Sequence, residues 1–190
     1  MSNDIVIRPM CRLDVAQVTA IDREAFPTMW PPMNYHRELE NQLATYLVMV
    51  ERPSAGEDAS TIDEISGTGV AGKVKRWMAS HEREEGRIIA FGGFWIMAGE
   101  AHIIGLAVRK DCRRQGLGRL MLRELIEEAA KRQSHCMTLE VRAGNYGAQK
   151  LYSACGFVET GIRRAYYTDN REDALIMTLI PLPIDHGVTQ

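Results

Sequence analysis

The chain has 190 residues, 45% of them hydrophobic, and a formal net charge of −2 at pH 7. That length suits one domain, residues 1–190, with a real core, and the mildly acidic balance removes any global electrostatic case for nucleic acid as the main ligand. No apolar stretch is long enough to span a bilayer and no basic n-region opens the chain, so we expect a cytoplasmic protein with no membrane partner.

"DIVIRPM" reads as a strand ending at Pro9, and Leu13 to Phe26 as a helix, because Val18, Ile21 and Ala25 recur at helical spacing. "FPTMWPP" is a proline-broken loop carrying Phe26, Met29 and Trp30, and "ATYLVMV" follows as a strand. From about 51 to 87 the composition turns to Gly, Ser, Glu, Asp and Lys without an apolar period, which reads as a polar insertion with one candidate helix in "KVKRWMASHERE". "RIIAFGGFWIM", "AGE" and "AHIIGLAV" form a hairpin. The loop "RRQGLGR" then leads into "GLGRLMLRELIEEAAKRQ", a helix whose predicted apolar stripe is Leu117, Leu120, Met121, Leu125 and Ala129. In "CMTLEVR", Met137, Leu139 and Val141 alternate with Thr138, Glu140 and Arg142. "NYGAQKLYSACGF" is a short helix capped by Asn145 and closed at Gly156, and "FVETGIRRAYY" and "DALIMTLI" are two last strands. Cys11, Cys112, Cys136 and Cys155 form no C-x-x-C pair, so they read as reduced and structural, with no metal site.

A strand that runs into a glycine-rich turn and a helix N-terminus collects unpaired N–H groups and the positive end of the helix dipole, and so suits a phosphate. Arg113, Arg114 and Arg119 add charge there. A Walker A loop would need Gly-Lys-Ser/Thr where Gly118-Arg119-Leu120 stands. A dinucleotide loop would need a third glycine at Met121, and although Glu140 falls near the expected acidic position, a hairpin precedes the loop in place of a βαβ start.

What remains is Arg113-x-x-Gly116-x-Gly118 after a strand, which resembles motif A of the GNAT N-acetyltransferases. "LEVRAGN", "KLYSACGF" and "RRAYYTDNREDALIMTL" follow in the order and spacing of the bacterial ribosomal-protein-alanine N-acetyltransferases, and "AFPTMW" resembles a looser form of that family's Phe-Pro-Trp substrate loop. The resemblance covers residues 87–182 well and 5–50 in pattern. Departures are the insertion, Cys112 where an aromatic is common, and Tyr146-Gly147 in place of small residues.

The resemblance implies an α/β (α+β) acyl-CoA N-acyltransferase fold, with a central, mostly antiparallel sheet that splays where acetyl-CoA enters and is flanked by helices. It implies transfer of acetyl from acetyl-CoA, without a metal, to a protein N-terminal α-amine, that of an alanine on a small-subunit ribosomal protein. It places the general base at Glu140 and the general acid at Tyr152. It gives acetyl-CoA contacts to Leu106, Ala107 and Val108 through strand backbone, to Arg113, Arg114, Gln115, Gly116, Leu117, Gly118 and Arg119 in the loop, and to Asn145.

On residue type alone Glu140 could be a solvated strand carboxylate and Tyr152 a half-buried aromatic. Asn145 could serve only as an N-cap. Glu100 and His102 are rival bases, and Tyr166 and Tyr167 either close over an acceptor peptide or pack across strands. Reference values favour the α-amine, since roughly one α-amino group in seven is neutral at pH 7 against about one lysine in a few thousand. A lysine or small-amine acetyltransferase, or a non-catalytic acyl-CoA-binding module, are the competing readings.

Overall fold

The structure, a computed structural model, describes residues 4–28, 32–52 and 86–182. The candidate helix "KVKRWMASHERE", nearly all of the 51–87 insertion, and Met29 and Trp30 lie outside the described residues. In chain order the elements are β1 (Asp4–Pro9), a 3₁₀ turn (Arg12–Asp14), α1 (Val15–Ala25), α2 (Tyr35–Glu38), β2 (Ala44–Arg52), β3 (Arg87–Met97) and β4 (Glu100–Val108). A second 3₁₀ turn (Lys110–Cys112) leads to α3 (Leu117–Lys131), β5 (Cys136–Arg142), α4 (Tyr146–Ser153), β6 (Val158–Arg163) and β7 (Ala174–Leu179).

The seven strands form one sheet in the order β1-β2-β3-β4-β5-β7-β6. Every neighbouring pair is antiparallel except β4 and β5. The sheet is therefore mostly antiparallel, as the sequence implied, and the strands on either side of the polar insertion do pair with each other.

Helices cover both faces, and β2 shows how one strand serves two cores. Leu47 and Met49 join Met121, Leu122 and Leu125 of α3, whereas Tyr46, Val48 and Val50 join Val15, Val18 and Ile21 of α1. Side chains alternate across a strand, so a strand buried on both sides has to be apolar at nearly every position. That is why "ATYLVMV" carries no polar alternation.

The stripe predicted for α3 needs one correction. Leu120 is 41% exposed, and Leu122 and Ile126 are buried in its place beside Leu117, Met121, Leu125 and Ala129. At about 100° per residue Leu120 lies far round the helix from the mean direction of those six. The strand expected through Tyr167 also stops early, at Arg163, so Tyr166 and Tyr167 stand in the loop before β7.

Candidate active site

The parallel pair sets the site's shape. β4 and β5 are joined only where Glu100, Ala101 and His102 face Cys136, Met137 and Thr138. Beyond that point the strands part, and the β3–β4 register slips so that Ile104 is an extra residue on β4. Such a bulge bends its strand and leaves backbone groups unpaired. The gap is a cleft of about 740 Å³, walled by Ile103 to Leu106 on one side and Leu139 to Arg142 on the other. Leu106 lines it directly, while Ala107 is packed into the α1 core and Val108 against the α3 core.

At one end of β4 lies the glycine loop. Arg114 takes φ +65° and Gly116 φ +82°, after which α3 begins. The carbonyl of Gly116 accepts from the N–H groups of Arg119 and Leu120. Among the described residues, no protein acceptor meets the N–H groups of Arg114, Gln115, Gly116, Leu117 and Gly118. A Cβ built on Gly118 would stand 3.4 Å from Leu151 Cδ2 and 3.7 Å from Val108 Cγ2, ordinary contact distances, so the start of α3 lies directly beside β4 and α4. The side chains of Arg114, Gln115 and Arg119 are exposed, Leu117 is core, and Arg113 spends its Nε on the Val108 carbonyl at 3.0 Å. The result is a cradle of donors at a helix N-terminus, which suits a diphosphate.

Glu140 and Tyr152 both line the cleft. The Glu140 side chain is 10% exposed, with Oε2 2.9 Å from His102 Nε2 and Oε1 accepting from Arg163 Nε at 2.9 Å. The hydrogen bond from His102 is the main reason its carboxyl stays below the usual range; it outweighs the opposing effect of burial, and Arg163 adds to it. His102 Nδ1 lies 2.8 Å from Thr138 Oγ1. An ionised carboxylate only accepts, so His102 Nε2 carries the hydrogen of that contact, and the Thr138 hydroxyl lies within hydrogen-bond reach of Nδ1. The sequence treats His102 as a rival of Glu140, but the fold joins them. Glu100, at the paired end of β4, does not line the cleft and lies 3.7 Å from His135.

Tyr152 is 8% exposed, and burial pushes its phenol up to about 12. Its position follows from how α4 stops. Phe157 N–H donates to the Tyr152 carbonyl and Gly156 N–H to that of Ser153, with Gly156 at φ +93°. This is a Schellman motif, and its usual apolar contact is the Tyr152–Phe157 ring pair at 5.9 Å. At the other end Asn145 Oδ1 accepts from Ala148 N–H at 3.1 Å, so Asn145 is the N-cap and lines the cleft as well.

Across the cleft mouth, Tyr166 and Tyr167 meet edge-on at 5.3 Å beside Phe26, Pro27 and Thr28. Arg142 lies 3.8 Å over the Tyr167 ring. Sequence reading placed Arg142 on the polar face of its strand with Glu140 but gave it no role, because its partners come from distant segments.

A model described as the acetyltransferase (GNAT) family matches residues 16–157. The chain belongs to that family. Among GNAT relatives, the Escherichia coli K12 ribosomal protein bS18-alanine N-acetyltransferase is 44% identical over 107 residues, covering 55% of this chain and 72% of that protein. A Bacillus subtilis strain 168 protein, provisionally named for the same activity, is 30% identical over 178 residues, 93% of this chain and 96% of that one. The crystal structure of the Escherichia coli ribosomal-protein-S18-alanine N-acetyltransferase superposes with a TM-score of 0.67 at 26% identity, covering 98% and 100% of the two chains. A Salmonella typhimurium protein solved with acetyl-CoA shares the fold, with a TM-score of 0.66 at 18% identity over 98% of each chain.

Proposed function

We propose that this N-acetyltransferase moves the acetyl group of acetyl-CoA to the N-terminal α-amine of a protein, the alanine that opens a small-subunit ribosomal protein. The observation that carries the reading is the cleft between β4 and β5, with Glu140 and Tyr152 on its wall, together with the donor-lined loop that follows β4. The acceptor is read from the relatives named for bS18 alanine, one of them spanning nearly the whole chain.

The unpaired amides around Gly116 and Gly118 fit the diphosphate of acetyl-CoA, which supplies an activated thioester. The exposed arginines 113, 114 and 119 surround them. Leu106, Ala107 and Val108 present strand backbone alongside, and Asn145 stands at the start of α4.

Glu140 stays ionised at neutral pH and is a weak base toward a free ammonium ion. About one α-amine in seven is already neutral at pH 7, which leaves that amine free to attack. Once its nitrogen bonds to the acetyl carbon the N–H acidity rises steeply, and the carboxylate can then take the proton. Tyr152 is protonated at neutral pH, as any phenol is; burial pushes it up to about 12, which makes it a weak acid, so the proton passes only as negative charge builds on the departing sulfur.

Steady-state turnover of acetyl-CoA with alanine-initiated ribosomal peptides, lysine peptides and polyamines tests the reading. We expect the alanine peptides to be used fastest. Glu140→Gln and Tyr152→Phe should each lower kcat/KM by roughly 10²–10⁴-fold while coenzyme A still binds. Full activity in both variants removes the assignment, and preference for lysine or a polyamine removes the acceptor.

A further inference from the structure

Arg142 ends β5, and its guanidinium joins parts of the chain that are far apart in sequence. One terminal nitrogen donates to Asp169 Oδ1 and Oδ2 at 3.0 and 2.9 Å and to Thr28 Oγ1 at 3.2 Å. The other donates to Glu172 Oε2 at 3.0 Å and Asn170 Oδ1 at 3.1 Å. Its flat face covers Tyr167 at 3.8 Å. Glu172 is itself fixed, since its Oε1 accepts from Gly144 N–H at 2.7 Å.

Three segments therefore meet on one side chain: the end of β5, the loop after α1, and the loop between β6 and β7. The same two loops bring Phe26, Pro27, Tyr166 and Tyr167 to the cleft. Lysine could carry the charge but not the arrangement, because only a planar guanidinium offers donors along two edges and a face for stacking. The Arg142 side chain is 28% exposed and Asp169 and Glu172 are 25% and 22% exposed, so the contacts are partly withdrawn from water.

We propose that Arg142 is a positioning residue for the acceptor: it clasps the 164–173 loop to the loop at Phe26–Thr28 and so fixes the wall along which the acceptor amine approaches Glu140. The inference rests on the acetyl transfer proposed above.

The test uses the full chain with Arg142→Lys, and with Asp169→Asn as a second variant should the first not fold. Amide hydrogen exchange over residues 164–173, read without any acceptor, should quicken by about tenfold or more in either variant. In turnover assays with the amine that the wild type uses fastest, acceptor KM should rise about tenfold or more while the KM for acetyl-CoA stays within about twofold. The double variant should be little worse than Arg142→Lys alone, since both remove one interaction. Unchanged exchange in the loop, or a fall in kcat with acceptor KM untouched, overturns the proposal. Loss of the alanine preference would remove the acceptor identity and leave these two readouts standing.

Discussion

At the scale of single residues, chemistry and pairing are hard to separate in this fold. Glu140 was a candidate through the resemblance carried by "LEVRAGN", and the alternation of Thr138, Glu140 and Arg142 with apolar neighbours agreed with it. Its partners were not legible, since His102 lies on another strand and Arg163 on a third, and no local pattern states which strands will adjoin. The same holds for Asp14, which is only 4% exposed. Burial pushes its carboxyl up, but the hydrogen bonds from Arg8 at 2.7 and 2.9 Å and from Cys11 N–H at 2.8 Å outweigh that and hold it below its ordinary value. A carboxyl depressed in the folded state stabilises the fold above its unfolded pKa, about 3.9, and that contribution disappears as pH falls through the folded value. Asp14→Asn should therefore cost about 2 kcal/mol at pH 7, and the gap between variant and wild-type melting temperatures should begin to narrow below about pH 4 and go on narrowing as the pH falls further. A gap that stays constant down to pH 3 would show that the charge is not what Asp14 contributes.

The elements were more legible than the contacts between them. A period of two exposed β5, a glycine punctuated the end of α4, and an asparagine its start. The stripe on α3 was legible only in part, because several apolar residues on one helix allow more than one face and the sheet decides which is buried. The glycine loop depends on close approach as much as on backbone freedom. In Gly118→Val the first side-chain carbon already stands in ordinary contact with Leu151 and Val108, and two more methyl groups crowd those side chains. We expect a loss of about 1–3 kcal/mol in stability and a coenzyme A Kd raised by about tenfold, measured by calorimetry. Unchanged affinity would mean that the approach of α3 to β4 has no part in cofactor binding.

For the whole molecule, sequence order and spatial order diverge at one place, and that place is the site. β4 and β5 are parallel neighbours with α3 between them in the chain, they pair over three residues, and then they separate. The mixed sheet and the flanking helices followed from the pattern of strands and from resemblance. The size of the opening and the way Arg142 ties two loops across its mouth depend on the register and on the packing of both layers, which no segment carries by itself. In the proposed reaction the parted strands aim a thioester at Glu140 and Tyr152. The most direct test of that geometry is a crystal structure with a bisubstrate analogue, coenzyme A joined through its sulfur to the N-terminal amine of an alanine-initiated peptide. The diphosphate should lie on the amides of Gly116 to Gly118, the joined carbons between β4 and β5 beside Glu140 and Tyr152, and the peptide along Tyr166 and Tyr167. A diphosphate bound away from the loop, or a junction remote from both side chains, would contradict that geometry.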